Sequence, residues 1–169
     1  MNTTNSGRVV VGVDNTLAGY QALRFAVQQA RQRGVPLIAV RAFARARFDS
    51  LEWRIAITVQ AEAEIDECFV DALGGRPTDI DIESVVEPGP AGRLLCVTAN
   101  RADDMLVIGG STRRPAWRWF APARTARRCA QSATCPVTVI PEPIMARSRS
   151  LGHLGRGIAD DAARFLQAH

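Results

Sequence analysis

The sequence contains no lysine, and this absence excludes several kinds of chemistry. All 21 of its basic residues are arginine. A P-loop lysine, a Schiff-base lysine and a lysine general base are therefore excluded. The two histidines, His153 and His169, lie near the C-terminus, so a core site of the Ser-His-Asp or Cys-His type is not expected either. We assign no catalytic residue and expect a protein that is not an enzyme.

Signatures of a metal site and of a membrane span are also missing. The four cysteines, Cys68, Cys96, Cys129 and Cys135, include no pair with the Cys-x-x-Cys spacing of zinc and redox motifs. Buried reduced thiols are favoured over a metal site. No apolar run approaches the roughly 20 residues of a membrane span, and the start, MNTTNSGR, lacks the apolar core of a signal peptide. These absences predict a soluble, cytoplasmic protein.

The positive charge of the chain is local. The net charge is +4, from 21 basic and 17 acidic residues. Residues 105–135 include six arginines and no acid, so the rest has 15 basic and 17 acidic residues, a net charge of −2. The six are Arg113, Arg114, Arg118, Arg124, Arg127 and Arg128. Local positive charge indicates an anionic ligand or partner, whereas a general nucleic-acid binder usually spreads such charge over a face.

Apolar runs with strand and helix spacing alternate along the chain. The β-branched run 8–13 predicts a buried strand, and Leu17–Arg33 has the periodicity of a helix that ends at Gly34. The other predicted strands are 35–43, 80–86, 105–108 and 136–140, and the other predicted helices are Leu51–Leu73, 91–100 and 122–132. This order predicts one α/β domain with a doubly wound, five-stranded parallel sheet and helices on both faces.

The sequence divides into three segments. Residues 1–7 are expected to be a disordered N-terminus, and residues 8–141 form the α/β domain. Residues 142–169 are predicted to contain a polar linker and a short C-terminal amphipathic helix. The apolar positions of that helix are Ile158, Ala162, Phe165 and Leu166.

Five segments between residues 8 and 141 resemble the universal stress protein family. They are VVVGVD, RGVPLIAVRAF, VVEPGPAGRLL, DDMLVIGG and CPVTVIP, in the family's order and at its intervals. The resemblance implies the strand order 3-2-1-4-5. It also implies a homodimer in which the fifth strand pairs with its twin across a two-fold axis. The implied interface residues are Val137, Thr138, Val139 and Ile140.

Many members of that family bind ATP through a glycine motif after the fourth strand. The motif is Gly, two residues, Gly, nine residues, Gly, then Ser or Thr. Aligned from Cys135, Gly110 keeps the first position, while Arg113, Ala123 and Arg124 replace the other three. The chain is therefore similar to the branch that does not bind ATP. The alternative is that Arg113 and Arg124 hold phosphate with their side chains.

The adenosine end of the family's site is better preserved in this sequence. Asp14 matches the adenine-contacting aspartate, and Val40 matches the valine whose backbone meets the adenine edge. For Asp14 and Thr16 the alternative role is capping of the first helix. A ligand with fewer phosphates, such as AMP or cyclic AMP, would need fewer phosphate contacts from the loop. The candidate nucleotide site is Asp14, Asn15, Thr16, Val40, Gly109, Gly110, Arg113, Arg124 and Thr125.

Two functions follow from the resemblance and the residues. The first is a non-enzymatic, dimeric stress-response protein with weak or no ATP binding, which acts through partners. The alternative is a sensor of ATP, AMP or cyclic AMP that uses Asp14, Val40 and the arginine-modified loop. The cofactor that the resemblance implies is ATP or AMP. A slow ATPase is disfavoured, since no general base is evident near the loop. A third, weaker hypothesis is nucleic-acid binding through the arginines, which predicts steep salt dependence.

Overall fold

The fold is a five-stranded parallel sheet with helices on both faces. The computed structural model describes residues 7–43, 50–110 and 124–143. The strands are β1 (Val9–Gly12), β2 (Leu37–Phe43), β3 (Ile82–Pro88), β4 (Met105–Gly110) and β5 (Val137–Pro141). The helices are α1 (Leu17–Arg33), α2 (Leu51–Leu73), α3 (Ala91–Thr98) and α4 (Arg124–Ser132). Every pairing is parallel, and the order is β3-β2-β1-β4-β5. The predicted fold class and strand order are both confirmed.

Alternate strand residues build two separate apolar layers, because successive side chains in a strand point to opposite faces. The layer shared with α1 and α2 contains Val9, Val11, Leu37, Ala39 and Val107. The layer shared with α3 and α4 contains Val10, Ile38, Val40, Leu106 and Ile108. Burying each valine, leucine or isoleucine contributes roughly 1.5–3 kcal/mol relative to exposure. The continuous apolar runs in the sequence therefore reflect strands that are covered on both faces.

Capping residues fix the ends of α1 and α2. The Thr16 hydroxyl accepts a hydrogen bond from the Gly19 backbone N–H at 3.0 Å and so begins α1. Gly34 ends α1 in the left-handed region, at φ 62°. Ser50 and Gly74 play the same two roles for α2. The predicted limits of both helices are confirmed, and each follows from a residue type suited to its cap.

The buried residues of the long helix α2 lie between its middle and its C-terminal end. Its 23 residues include five buried ones, Ala61, Ile65, Cys68, Phe69 and Ala72. The first half instead carries exposed aliphatic side chains at Leu51, Ile55 and Val59. Trp53 still contacts the end of β2, where its ring meets that of Phe43 edge-on at 6.1 Å.

The structure differs from the sequence prediction at the ends of several strands and of one helix. β4 runs on through Gly109 and Gly110, which pair with Ile140 and Pro141 of β5, whereas the prediction ended this strand at residue 108. β3 begins at Ile82 rather than at residue 80, because the register of the sheet places Ile82 opposite Leu37. α3 ends at Thr98, since Ala99 has left the helical region with ψ 71°.

Asp104 lies at the amino edge of the sheet, immediately before β4 begins. It is 1% exposed, and its two carboxylate oxygens accept hydrogen bonds from the Arg8 guanidinium at 3.1 and 2.7 Å. The backbone N–H groups of Arg8 and Arg101 also donate to it. This ion pair joins the start of β1 to the start of β4, far from the carboxyl edge.

Several predicted features lie outside the described residues. They include residues 1–6, Arg113 and the rest of the loop 111–123, the start of α4 predicted at residue 122, and the predicted C-terminal helix. Gly7, which the sequence prediction placed in the N-terminal segment, is described and buried. Within the described ranges, no helix combines the length and the apolar content needed to cross a bilayer.

Candidate nucleotide-binding cleft

A cleft of about 290 Å³ opens at the carboxyl edge of the sheet. It lies where the strand order reverses between β1 and β4, and open parallel sheets bind ligands at such switch points. The lining comes from β1, β2 and β4 and from the first turns of α3 and α4. These residues are Gly12, Val13, Asp14, Val40, Arg41, Ala42, Ala91, Ile108, Gly109 and Thr125.

A larger depression of about 500 Å³ lies at the opposite, amino edge of the sheet. It is open and polar, and its Arg31 and Asp79 side chains already pair with each other. None of the predicted site residues lines it. We therefore assign the candidate site to the smaller cleft.

The predicted nucleotide site is partly brought together in this cleft. Four of its nine residues line the cleft, namely Asp14, Val40, Gly109 and Thr125. Asn15, Gly110 and Arg124 do not line it, but each is next to a lining residue in the sequence. Thr16 does not line it either, but it donates hydrogen bonds to the lining residue Asp14. Arg113 lies outside the described residues. The role of these residues in contacting a ligand stays a prediction.

Asp14 stabilises the N-terminus of α1 and also lines the cleft. Its Oδ1 accepts hydrogen bonds from the Thr16 backbone N–H at 3.0 Å and from the Thr16 hydroxyl at 2.5 Å. The space beside Oδ1 is tight, because a Cβ at Gly19 would lie 2.1 Å from it. Among the described residues, no hydrogen bond involves Asp14 Oδ2. The capping role is thus present, and one oxygen of this exposed carboxylate remains for a ligand.

The backbone of Ala42 reaches the cleft at a point that sequence reasoning missed. The carbonyl oxygen of Val40 accepts a hydrogen bond from the Val13 N–H at 2.9 Å, just after the end of β1. This carbonyl therefore already has a partner within the chain. In a strand, the backbone groups of residues two positions apart point to the same neighbouring strand. The N–H and C=O of Ala42 therefore point to the same side as those of Val40, toward β1. β1 has ended there, and no backbone group of the described residues bonds them. Ala42 thus offers one donor and one acceptor to the cleft.

Arg41 is a second lining residue that the sequence analysis did not select. Its guanidinium donates to Val13 O at 3.4 Å and pairs with Glu64 of α2. A charged residue inside the apolar run VPLIAVRAF was the available signal. Because Arg41 is already paired, it holds the wall between the cleft and α2 and is not a free cation.

Two helix N-termini face the cleft through Ala91 of α3 and Thr125 of α4. Neither helix has an acidic residue in its first turn. Helix N-termini carry partial positive charge and unpaired N–H groups, which favour anions. Arg124, exposed at the start of α4, adds positive charge nearby. The potential at this end of the cleft therefore suits a phosphate.

Gly109 and Gly110 are required for space and not for an unusual backbone conformation. Neither has a positive φ. A Cβ at Gly109 would lie 2.8 Å from the backbone of Ala18 and Gly19, so only glycine lets β4 approach the first turn of α1. A Cβ at Gly110 would meet the Val139 side chain at 3.0 Å. The sequence analysis ended the fourth strand at residue 108 and placed both glycines in the candidate nucleotide site, whereas both residues belong to β4.

Among the described residues that line the cleft, the ionisable side chains are those of Asp14 and Arg41. In the part of the chain that the structure describes, no three histidine, cysteine or carboxylate side chains converge as metal ligands do. The thiol of Cys129 lies beneath α3 and not in the cleft, and burial together with contact with Cys96 raises its pKa to about 12.

Comparisons with known proteins agree with this architecture. The chain matches the model of the Universal stress protein family over residues 5–141. It is similar to universal stress protein UspA from Lactobacillus plantarum, with 18% identity, 79% of this chain and 97% of that chain covered, and a TM-score of 0.56. No curated protein sequence matches the chain.

Two further solved structures of similar fold contain nucleotides. One is the universal stress protein from Archaeoglobus fulgidus in complex with dAMP, with 22% identity, 81% of this chain and 99% of that chain covered, and a TM-score of 0.55. The other is a universal stress protein family protein from Arabidopsis thaliana with AMP bound. It has 16% identity, 85% of this chain and 97% of that chain are covered, and the TM-score is 0.57.

Proposed function

Because this chain belongs to the universal stress protein family, we propose that it is a non-enzymatic regulatory protein whose cleft binds an adenine nucleotide with few phosphates. The observation that carries the proposal is the cleft at the switch point between β1 and β4. Two relatives of similar fold hold AMP and dAMP. A cytoplasmic role in stress response is part of the same proposal.

The base end of the ligand lies against Asp14 and Ala42. Adenine presents an amino donor and ring-nitrogen acceptors on its edges. Asp14 Oδ2 accepts from the amino group, while the Ala42 N–H donates to a ring nitrogen. Both protein groups are without described partners, so the ligand satisfies them at no cost to an existing hydrogen bond.

The phosphate end of the cleft favours one phosphate over three. The N-termini of α3 and α4 supply N–H groups and positive potential at Ala91 and Thr125. A volume of about 290 Å³ is at the lower end of the roughly 300–1,000 Å³ typical of ligand pockets. Only Gly110 of the family's four-position glycine motif remains in the sequence. The β- and γ-phosphates of ATP therefore lack their backbone cradle, and ATP binds weakly or not at all.

Calorimetric titration with AMP, cyclic AMP and ATP tests the proposal. We expect AMP or cyclic AMP to bind at least tenfold more tightly than ATP. The absence of heat from all three at millimolar ligand would remove the proposed function. A nucleotide that copurifies with the protein would support it independently.

The Asp14→Asn variant tests the base contact without removing the cap. Asparagine keeps an Oδ1 acceptor for Thr16 but replaces Oδ2 with a donor, which opposes the adenine amino group. We expect AMP affinity to fall at least tenfold while thermal stability stays near that of the wild type. Thr16→Val is the matched control, because it weakens the cap by ~1 kcal/mol and leaves Oδ2 in place. Equal AMP affinity of Asp14→Asn and wild type would contradict the assignment.

A second proposal concerns assembly, and it rests on the exposed edge of β5. β5 is an edge strand, and Val139 on it is 45% exposed. Edge strands pair readily with a strand of another chain. We propose a homodimer in which Val137, Thr138, Val139 and Ile140 pair with their twins.

A further inference from the structure

We infer that the outer surface of α3 and α4 is a docking site for an acidic segment of a partner protein. Four exposed arginines define this surface, which we call the arginine face: Arg93, Arg124, Arg127 and Arg128. None of them lines the nucleotide cleft, although Arg124 also belongs to the predicted nucleotide site. The inference therefore goes beyond the proposed nucleotide binding and does not depend on it.

The arginine face is one continuous surface on two adjacent helices. At about 100° per residue, positions 124, 127 and 128 lie within an arc of about 100° on α4. The opposite side of α4 is buried through Ala126 and Cys129. A Cβ at Gly92 would lie 2.9 Å from Arg128 Cβ, so α3 and α4 touch there, and Arg93 is the next residue.

The four guanidinium groups have no acidic partner among the described residues. Neither α3 nor α4 contains an aspartate or glutamate. Several other arginines of the fold form ion pairs with aspartate or glutamate. Those pairs are Arg8–Asp104, Arg31–Asp79, Arg41–Glu64 and Arg76–Asp66. The arginines of the arginine face differ from them in having no such partner among the described residues.

The placement of the arginines opposes the stability of the helices that carry them. Arg93, Arg124 and Arg127 lie in first turns, where the helix dipole is positive and cations are unfavourable. Arg124 and Arg128 are a like-charge pair at i and i+4, which is also unfavourable. No acidic residue of α3 or α4 offsets this repulsion, so an anionic partner that binds the four arginines would relieve it.

An acidic amphipathic helix fits this surface better than a phosphate backbone does. Val97 is 62% exposed and lies one helical turn after Arg93 on α3. An aliphatic contact beside cations suits a peptide that carries both carboxylates and a leucine. α3 and α4 have eight and nine residues and span about 12–14 Å, which matches two to three turns of a partner helix. Arginine also binds carboxylates in a bidentate manner.

Fluorescence anisotropy with a defined peptide tests the inference on the full chain. The probe is a labelled 16-residue peptide in which glutamate and leucine occupy separate helical faces. We expect micromolar binding in 50 mM salt. The variant Arg93→Gln/Arg127→Gln/Arg128→Gln should bind at least tenfold more weakly and Val97→Asp severalfold more weakly, both with unchanged AMP titration.

The matched control removes the same charge elsewhere. In Arg31→Gln/Arg33→Gln/Arg54→Gln the net charge also falls by three, and we expect less than a twofold effect on peptide binding. A peptide with glutamine in place of glutamate should not bind. Failure of the acidic peptide to bind, or equal losses in the two triple variants, would overturn the inference. Tighter binding of a 20-nucleotide oligothymidylate than of the peptide would overturn it in favour of nucleic acid.

Discussion

At the scale of single residues, Asp104 shows how a charge is kept inside this fold. Burial raises the pKa of its carboxyl group, but the hydrogen bond from Arg8 and the backbone N–H groups of Arg101 and Arg8 outweigh burial, so the pKa is lowered from 3.8. The partners lie 96 residues apart in the sequence. No local pattern marks such a pair, so the sequence alone does not reveal that Asp104 is buried and paired with Arg8.

We predict that Asp104→Asn destabilises the protein by roughly 3 kcal/mol at pH 7, because it leaves Arg8 without its counter-ion in a partly buried position. Urea unfolding measures the free energy. Since the native pKa is lowered, the contribution of Asp104 is fully present above pH 3.8 and is lost as pH falls through the native pKa. The difference between variant and wild type should therefore shrink in strong acid. Asp79→Asn, which breaks an exposed pair, should change little, and equal losses in both variants would contradict this account.

Single residues also show which parts of the candidate site can be predicted from the sequence and which cannot. Asp14 and Val40 were selected through family resemblance, and the structure places both at the cleft. Ala42 was missed because its contribution is backbone, made available by the end of a neighbouring strand. Such a group has no side-chain signal and becomes visible only when the register of β1 and β2 is known.

At the scale of secondary-structure elements, the contact between β4 and α1 shapes the cleft. The carboxyl end of β4 approaches the first turn of α1 so closely that Gly109 has no room for a side chain. The limits of α1 and α2 were predictable because their caps are local, as at Thr16 and Gly34 of α1. Strand limits were less predictable, since pairing with a neighbour decides them, as for Ile82 of β3.

We predict that Gly109→Ala destabilises the protein by about 1–3 kcal/mol, since the added methyl group would force apart the backbones of β4 and α1. AMP binding should weaken as well, because Gly109 lines the cleft. Gly110→Ala is the matched control. Its methyl group meets mainly the Val139 side chain, which can move, so the loss should be smaller. Urea unfolding measures the free energy of unfolding of both variants. An equal or larger loss of stability in Gly110→Ala would contradict the argument that β4 and α1 are too close for a side chain at Gly109.

At the scale of the whole molecule, the strand order creates both the cleft and an open edge. The reversal between β1 and β4 places the cleft near the middle of the sheet, and β5 is left at one side. Leu106 N–H donates to Pro136 O, so alternate residues of β5 direct their backbone toward β4. Val137 and Val139 lie between them and direct their backbone groups outward. The alternation of strands and helices predicted the parallel sheet, whereas the order of its strands came from family resemblance.

We predict a dimer at micromolar concentration that Val139→Pro converts to monomer. Proline removes an outward N–H while the inward hydrogen bonds of Thr138 and Ile140 to β4 remain, so the fold should persist. Sedimentation velocity measures the assembly, and circular dichroism checks the fold. Val139→Thr keeps both the N–H and the β-branch and should stay dimeric. A wild type that sediments only as a monomer would end the dimer proposal.

The carboxylate of Asp14 belongs to two structures at once, the first turn of α1 and the wall of the cleft. Anything that binds Asp14 in the native state and not in the unfolded chain is linked to the opening of that turn. The amide hydrogens of Thr16 and Gly19 should therefore exchange with solvent more slowly when the cleft is filled. The start of α1 is a built-in reporter of occupancy, and it would register a ligand whose identity is unknown.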